Sequence, residues 1–384
     1  MLRDRDLRWL PVGPFLLTGA AALTVVSGPA RAMADRIVTW GCAEGACEGQ
    51  DDPQPDLTVV RSLSAGTFHS MVVRPDGSLR LWGSGSPTAT NGSFPNFGQA
   101  IVPAGIGPVT SIVGGATHSL ALLADGSVMA WGAGLQDLAT IPQFGQSIVP
   151  VGLGLCTQVA AGNAHSMALT ASGAVVAWGY NGFGQCSVPA DLGPVQRIAA
   201  NGYTSYVIRA DGTVRAWGLG SDGQASPPAD LGVCGSIAPG IVHAVAIRID
   251  GSLRAWGSDL HGQVSQTPAG PFLQVASGGY HSLGLRSDRT VVAWGRNDNG
   301  QCDVPADLGR CRSLAAGRRH SVALRVLPCV GDVTGDGIHS GQDIGTLFAA
   351  FGSNDSVCDL DGDGSVTSLD FSIMLAAWGS CPQE

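Results

Sequence analysis

Residues 161–185 read AGNAHSMALTASGAVVAWGYNGFGQ, and this line decides the fold. Apolar and small or polar residues alternate in HSMALT and again in AVVAWG, and Ala171-Ser172-Gly173 separates the two runs. Alternation on both sides of a short turn predicts two strands joined as a β-hairpin. Relatives of the same line fill most of the chain.

A Trp-Gly pair ends the second strand of the hairpin in seven copies, at Trp40, Trp82, Trp131, Trp178, Trp217, Trp256 and Trp294. A Gly-Gln pair follows each tryptophan, and a leading half unit, with Gly three residues before His in most copies, also occurs seven times. Units of about 40 residues are typical of four-stranded propeller blades, which need neighbours to bury their faces.

The phase of the repeat predicts how the array ends. The first copy, RIVTWG at 36–41, lacks its leading half, and the last copy, at 314–326, stops before any Trp-Gly. Terminal strands that share one sheet close a ring and leave fewer exposed edges. We therefore predict an all-β fold, a seven-bladed β-propeller closed by N- and C-terminal strands, over residues 33–327.

The polar residues that recur in the repeats are predicted to have a structural role. The Asp-Gly pairs at the hairpin turns suit a type I′ turn, and Asp288-Arg289 predicts a hairpin that is strained or of another type. A histidine recurs at one position in six copies, and the fourth copy has Thr204 there. A catalytic base would be needed only once, so the recurrence indicates a structural role. The recurring residues are His69, His118, His165, His243, His281 and His320. We expect buried, hydrogen-bonded imidazoles and tryptophans that pack between blades.

The repeat Gly-x-x-His-Ser…Asp-Gly-x-x-x-Ala-Trp-Gly-x-Asn-x-x-Gly-Gln, over residues 36–326, resembles that of the regulator of chromosome condensation family. The resemblance implies a seven-bladed propeller with a binding role. In expected cellular location, the chain is most similar to the secreted bacterial members.

The N-terminus resembles a secretory signal. Three arginines precede an apolar run from Leu10 to Val26, and Ala30-Arg31-Ala32 has the small-x-small form of a cleavage site. We predict that residues 1–32 form a signal peptide and that the mature chain is secreted, at the cell surface or periplasmic; an uncleaved membrane anchor is the alternative.

All ten cysteines follow that segment, and exported chains usually pair their thiols. The local pairings that we predict are Cys42 with Cys47, Cys302 with Cys311, and Cys329 with Cys381. Metal ligation is the alternative, although the chain has no CxxC knuckle.

The charges exclude several functions. The chain has no lysine, which excludes a P-loop lysine, a Schiff-base lysine and a Ser-Lys dyad. Residues 33–328 hold 17 Arg and 19 acids without a basic stripe, so we expect no nucleic-acid binding.

The C-terminal segment, residues 328–384, has a different composition, with nine acids and no Arg after residue 328. Two twelve-residue loops, at 332–343 and 359–370, place oxygen donors at alternating positions with Gly at position 6, as Ca²⁺ requires. The predicted ligands of two Ca²⁺ ions are Asp332, Thr334, Asp336, Ile338, Ser340 and Asp343 in the first loop, and Asp359, Asp361, Asp363, Ser365, Thr367 and Asp370 in the second. Each loop precedes a predicted helix with an apolar stripe.

This duplicated loop-helix unit, with Asp in place of Glu at position 12, resembles a dockerin over residues 330–380. The resemblance implies a calcium-dependent plug that docks onto a cohesin-like anchor. Positions 10 and 11 are Gly341-Gln342 and Ser368-Leu369, whereas many dockerins have Ser-Thr there. The anchor therefore stays open between a cohesin and another partner.

The sequence favours an exported, non-enzymatic binding propeller that is monomeric and recognises a protein or glycan outside the cell. The two longest inter-strand insertions, 84–108 and 133–156, and the loop after Trp178 supply the candidate partner contacts Phe94, Phe97, Phe144, Tyr180 and Phe183. The same aromatics alternatively cover the neighbouring blade. The other functions considered are a glycoside hydrolase or lyase, for which the insertions offer one acid, Asp137, and a purely structural envelope protein.

Overall fold

The computed structural model describes residues 37–42, 49–52, 57, 60–86, 94–135, 137–140, 142–325, 331, 333, 340–355, 358–360 and 364–376. The first strands in chain order are β1 (Ile37–Gly41), β2 (Ser62–Ala65), β3 (His69–Val73), β4 (Leu79–Gly83), β5 (Val109–Gly114), β6 (His118–Leu123), β7 (Val128–Gly132), β8 (Asp137–Thr140), β9 (Gln143–Phe144), β10 (Cys156–Ala161), β11 (His165–Thr170) and β12 (Val175–Gly179). They are followed by β13 (Val195–Asn201), β14 (Thr204–Arg209), β15 (Val214–Gly218), β16 (Cys234–Pro239), β17 (His243–Arg248), β18 (Leu253–Gly257), β19 (Phe272–Ser277), β20 (His281–Arg286), β21 (Val291–Gly295), β22 (Cys311–Ala316) and β23 (His320–Arg325). Helices α1 (Gly341–Ala350) and α2 (Ser368–Ala376) come last. The predicted signal peptide lies outside the described residues.

The propeller consists of seven antiparallel three-stranded sheets. Blades 1 to 6 are β2–β4, β5–β7, β10–β12, β13–β15, β16–β18 and β19–β21, and blade 7 contains β22, β23 and β1. The predicted four-stranded blade is therefore wrong for the described residues. Among the described residues, proline-rich segments between blades form turns, such as Leu231 N–H to Pro228 O, because proline cannot donate to a sheet ladder.

The two ends of the propeller share blade 7. Strand β1 pairs antiparallel with β23, with Ile37 opposite Leu324 and Gly41 opposite His320. This pairing confirms the predicted closure. Across the closing junction, Ile37 and Leu324 of blade 7 pack in one apolar cluster with Val72 and Trp82 of blade 1.

The middle strand of each blade is buried on both faces. In β11 all six residues are buried; Met167 and Leu169 pack toward blade 4, whereas Ala168 packs toward blade 2. Since side chains alternate across a strand, each blade supplies one row to each neighbour. Each apolar core is therefore shared between two blades. A closed ring buries both faces of every blade, whereas an open array would leave two faces exposed.

The hairpin turns differ from the predicted type I′. The Arg74 N–H donates to Ser78 O and the Gly77 N–H donates to Arg74 O, so three residues form the loop. Gly77 has φ +82°, but Asp76 is absent from the positive-φ residues, which excludes type I′. Asp76 instead accepts from the Ser78 N–H at 2.9 Å. Arg289, with φ +67°, occupies the place of this glycine, in agreement with the predicted strain.

Helix α1 begins with a capping box, in which Ser340 is the N-cap and Asp343 is the third residue of the helix. Leu347 and Met374 are buried in a small core with Cys358 and Val366. The predicted apolar stripe is confirmed in part, because Phe348 and Leu375 are about half exposed.

No helix among the described residues is long and apolar enough to cross a membrane.

Candidate functional site

The recurring histidines join consecutive blades. Each Nε2 atom lies 2.8–3.0 Å from a serine Oγ of the next blade. The six pairs are His69–Ser119, His118–Ser166, His165–Ser205, His243–Ser282, His281–Ser321 and His320–Ser70. The predicted buried hydrogen-bonding role is confirmed.

The backbone carbonyl of each repeat's Gly-Gln glutamine receives donors from the next blade. At Gln99 O, Ser119 donates at 2.8 Å and the Trp131 indole at 2.9 Å. The Ser119 hydroxyl proton is thus engaged, so the His69 Nε2 must carry the proton that Ser119 accepts. The same arrangement holds at Ser70, Ser166, Ser205 and Ser321.

These imidazoles are neutral. Burial lowers the pKa of His69, His165 and His281 to about 3 and that of His118, His243 and His320 to about 4. The six Nδ1 atoms are buried and have no hydrogen-bond partner. Each histidine therefore serves the junction between blades in its uncharged form.

The Gly-x-x-His spacing has a steric cause. A Cβ added to Gly162 would lie 2.1 Å from His165 Cε1, and one added to Gly317 would lie 2.0 Å from His320 Cε1. Blade 4 has Thr204 in place of the histidine, and there the residue three positions earlier is Asn201. Loss of the imidazole gives room for the asparagine, whose Nδ2 donates to Pro239 O at 2.8 Å.

At the junction between blades 4 and 5, other residues take the place of the His–Ser hydrogen bond. Blade 5 has Ala244 where the other blades have serine, so no imidazole acceptor is present. Tyr206, fully buried in blade 4, donates its hydroxyl to Gln224 O at 3.0 Å. Tyr206 thus supplies the donor that the missing serine would provide.

An axial cavity of about 400 Å³ lies among the inner strands of all seven blades. Loops between the inner and middle strands surround one end of it, which we call the mouth; it comprises residues 67–68, 116–117, 163–164, 202–203, 241–242, 279–280 and 318–319. Backbone bonds join these loops from blade to blade, such as Thr67 N–H to Gly115 O at 3.0 Å and Asn163 N–H to Gly202 O at 2.8 Å. The mouth is therefore a fixed rim.

Four aromatic rings gather beside the mouth, and we call them the aromatic cluster: Phe144, Tyr180, Phe183 and Tyr203. Tyr180 lies 4.6 Å from Phe144, 5.9 Å from Phe183 and 5.5 Å from Tyr203 between ring centroids. Phe183 is 42% exposed, and the other three rings are half-buried. Three predicted contacts thus come together, whereas Tyr203, from blade 4, was not predicted.

The other two predicted contacts lie elsewhere. Phe94, 39% exposed, packs edge-on against Phe68 of the mouth at 5.4 Å. Phe97 is half-buried and belongs to neither group. The insertion around Asp137 forms the short hairpin β8–β9, which delivers Phe144 to the cluster.

Four of the described cysteines pack in apolar clusters. Cys302 and Cys311 are free thiols, so the predicted disulfide between them is wrong. Cys311, Cys234 and Cys156 each begin an inner strand, and burial raises the pKa of the Cys311 thiol to about 12. Cys42 is disulfide-bonded. Cys47, Cys329 and Cys381 lie outside the described residues.

The described part of the second predicted calcium loop brings its two ends together. Asp370, fully buried, accepts from Leu360 N–H at 2.6 Å and from Thr367 N–H at 2.7 Å. Asp359 accepts from Gly364 N–H at 2.8 Å across the loop. Both carboxylates thus accept backbone N–H groups of the loop itself, and carboxylate oxygens are ligands of the kind that Ca²⁺ takes.

In the first loop, Asp343 is fully buried and accepts from Ser340 N–H at 2.8 Å. Asp332, Thr334, Asp336, Ile338, Asp361 and Asp363 lie outside the described residues. Ser365 and Thr367 are described, and the Thr367 hydroxyl donates to Asp370 at 3.3 Å.

Comparison with known proteins supports the repeat and the fold. The family model described as Regulator of chromosome condensation (RCC1) repeat matches residues 109–135, 156–185, 195–224 and 272–301. No curated protein sequence matches the chain.

Solved structures of similar fold include Prp20p from Saccharomyces cerevisiae, with 17% identity and a TM-score of 0.62 over 82% of this chain and 94% of that one. Human WBSCR16 has 16% identity and a TM-score of 0.60 over 76% and 100%. The Arabidopsis thaliana ACR4 ectodomain has 21% identity and a TM-score of 0.51 over 67% and 88%. The chain therefore contains RCC1 repeats and has the RCC1-like propeller fold.

Proposed function

We propose that this RCC1-repeat chain is an exported, non-enzymatic interaction propeller that binds a protein partner beside the axial mouth and is tethered through a calcium-dependent, dockerin-like C-terminal module. The aromatic cluster is the observation that carries the proposal. It joins rings from an insertion, from the loop after β12 and from the mouth of the next blade.

The cluster suits recognition because it is both rigid and partly exposed. The Tyr180 N–H donates to Ala164 O at 2.8 Å and the Phe183 N–H donates to Gln185 Oε1 at 3.0 Å, so backbone bonds fix both loops. Burial raises the pKa of Tyr203, so its hydroxyl stays protonated at neutral pH. Fixed aromatic anchors with polar tips are favoured at protein interfaces, since little entropy is lost on binding.

The fold supports a protein as the partner class. The structure of Prp20p is reported with its binding properties to Gsp1p and histones, and a second structure of yeast RCC1 (Prp20) is bound to Kap60. These partners belong to those proteins. For this chain they support only the use of a propeller surface for protein recognition, with a cell-surface or extracellular partner following from the proposed export.

The tethering part of the proposal depends on the two acidic loops. Two Ca²⁺ ions would be held by the carboxylates, hydroxyls and carbonyls of residues 332–343 and 359–370, and each ion would neutralise a loop that is otherwise self-repelling. A cohesin-like anchor is the partner that the dockerin resemblance implies.

The binding proposal is tested by chemical cross-linking of the full chain to the native cell surface, with and without calcium. The paired variant Tyr180→Ala/Phe183→Ala should lose the cross-linked partner. Leu260→Ala, also in a loop after a third strand and 84% exposed, is the matched control and should keep it. Cross-linking that is unaffected by the paired change would contradict the proposal, as would turnover of a polysaccharide that Asp137→Asn abolishes.

A further inference from the structure

The mouth carries charge at one place. Its fourteen positions are uncharged except for Arg318 and Arg319, the two residues between Gly317 and His320 in blade 7. The chain as a whole has a net charge of −9, so this positive pair is not part of a generally basic surface.

Arg318 lies in a space that the neighbouring blade leaves for it. Arg318 is one of the residues that line the axial cavity. A Cβ added to Gly279 of blade 6 would lie 3.0 Å from Arg318 Cγ and 2.8 Å from Arg318 O. Any larger residue at 279 would therefore displace the arginine.

The charge of Arg318 also acts on one ring of the aromatic cluster. Burial raises the pKa of Tyr203, and the charge of Arg318 opposes that shift, although the two residues belong to blades 4 and 7. The Tyr203 side chain is hydrogen-bonded to Asn163, which lines the same cavity. A positive group and a phenol thus lie near one another at the cavity entrance.

A third guanidinium converges on this place. Burial lowers the pKa of Arg319, and the charges of Arg318 and Arg296 lower it further. Arg296 is ion-paired with Asp298 at 2.6 Å and lies 5.5 Å from the Tyr280 ring centroid. In the part of the chain that the structure describes, no carboxylate contacts Arg318 or Arg319. Arg319 is therefore repelled by Arg318 and Arg296, and Asp298 pairs only with Arg296.

We infer that Arg318 and Arg319, supported by Arg296 and Tyr280, bind the carboxylates of an acidic segment of the protein partner at the mouth. This inference rests on the proposed function and names the chemistry of the partner. A guanidinium binds a carboxylate through two parallel hydrogen bonds, and an added anion relieves the repulsion that Arg319 experiences from Arg318 and Arg296.

An acidic peptide fits better than a sugar chain or a nucleic acid. Sugar rings stack on flat, open aromatic faces, but Tyr180 meets Phe183 and Tyr203 edge to face, so the rings occupy one another's faces. Nucleic-acid affinity comes from basic residues that follow a phosphate backbone, whereas here the charge is confined to one blade junction.

The test is calorimetric titration of the full-length protein with unlabelled octaglutamate at low salt. We expect Arg318→Gln to weaken binding about tenfold and Arg318→Gln/Arg319→Gln to abolish it. Arg197→Gln is the matched control, because Arg197 is exposed on β13, does not line the cavity and makes the same charge change. It should leave the affinity unchanged.

Three results would overturn the inference: no octaglutamate binding by the unmodified protein, equal binding by the double arginine variant, or tighter binding of oligogalacturonate or octathymidylate than of octaglutamate. Tyr180→Ala/Phe183→Ala should retain octaglutamate binding while losing the cross-linked partner. If that paired variant kept both the cross-linked partner and octaglutamate binding, the proposed function would be wrong and the carboxylate site would stand.

Discussion

The Nε2 atom of His320 lies 2.9 Å from the Oγ atom of Ser70, a residue 250 positions earlier in the chain. The bond is equivalent to the one between His69 and Ser119, which belong to two blades that are consecutive in the chain. The junction between the last blade and the first therefore has the same His–Ser hydrogen bond as the junction between the first two blades. Closure of the ring does not require a different set of contacts here.

Closure predicts that Ser70→Ala and Ser119→Ala lower the free energy of unfolding equally. Each change removes a donor to a glutamine carbonyl and the acceptor of an imidazole, so each should cost about 1–3 kcal/mol. Urea denaturation measures both. If Ser70→Ala were silent while Ser119→Ala destabilised, the two ends would not meet in solution.

Acid should unfold the propeller cooperatively. Each of the six imidazoles has a folded pKa of about 3 or 4, below its ordinary value of 6.5. The unfolded chain therefore binds more protons between those values, and stability is lost as the pH falls from 6.5 toward 4. Six protons correspond to a slope of up to about 8 kcal/mol per pH unit.

Circular dichroism against pH measures this loss, and His243→Gln should reduce the slope. His261, exposed in a loop, is the matched control, and His261→Gln should leave the slope unchanged. An acid midpoint that His243→Gln does not shift would contradict the burial of neutral imidazole as the cause.

The steric pairing of glycine and histidine can be tested in blade 3. Gly162→Ala should destabilise by about 1–3 kcal/mol, because its Cβ would lie 2.1 Å from His165 Cε1. In a His165→Thr background, which copies Thr204 of blade 4, the same change should cost much less. The comparison is a double-mutant cycle in thermal unfolding.

Gly235→Ala is the matched control for that cycle, since a Cβ at this position of β16 meets nothing within 4 Å. We expect it to change stability by less than about 0.5 kcal/mol. Equal penalties for Gly162→Ala in both backgrounds would show that the imidazole is not what the glycine accommodates.

Arg289→Gly should stabilise the sixth blade. Arg289 has φ +67°, a region in which a residue with a Cβ is strained by about 1–2 kcal/mol, and the equivalent Gly251 has φ +81°. A higher thermal midpoint would confirm the strain. The reciprocal change Gly251→Ala should lower the midpoint, and a lower midpoint for Arg289→Gly would contradict the argument.

Calcium removal should unfold the C-terminal module and spare the propeller. Fully buried Asp370 and Asp343 require compensation for their charge, so excess EGTA should cause loss of amide protection in α1 and α2 while β11 and β14 remain protected. Hydrogen exchange measures the amide protection of both regions in one experiment. Asp370→Asn should weaken the response, and unchanged protection of α2 in EGTA would refute the calcium loop.

The repeated lines predicted the architecture because they carry local information many times over. Seven Trp-Gly pairs gave the blade count, and the half units at the two ends gave the closure that β1 and β23 display. The single Arg pair between Gly317 and His320 is also visible in the repeats, but its place at the axial cavity is not.

Other predictions failed because they depend on distance in space. Cys302 and Cys311 are near in sequence, yet Cys302 donates toward Arg296 O in a turn while Cys311 begins an inner strand. The Asp-Gly pair alone predicts a type I′ turn, but the loop length is set by the strand register that Arg74 and Ser78 establish.

The hairpin strands, the number of blades and the joining of the two ends follow from the sequence, because hydrophobic alternation and spacing within one unit are local and are reinforced by repetition. Which side chains meet across blades depends on the folded ring. Tyr203 joins the aromatic cluster, Tyr206 replaces a missing serine at Gln224, and the charge of Arg318 acts on Tyr203 from three blades away. Such contacts depend on how a ring brings together residues far apart in the chain, and no single repeat contains that information.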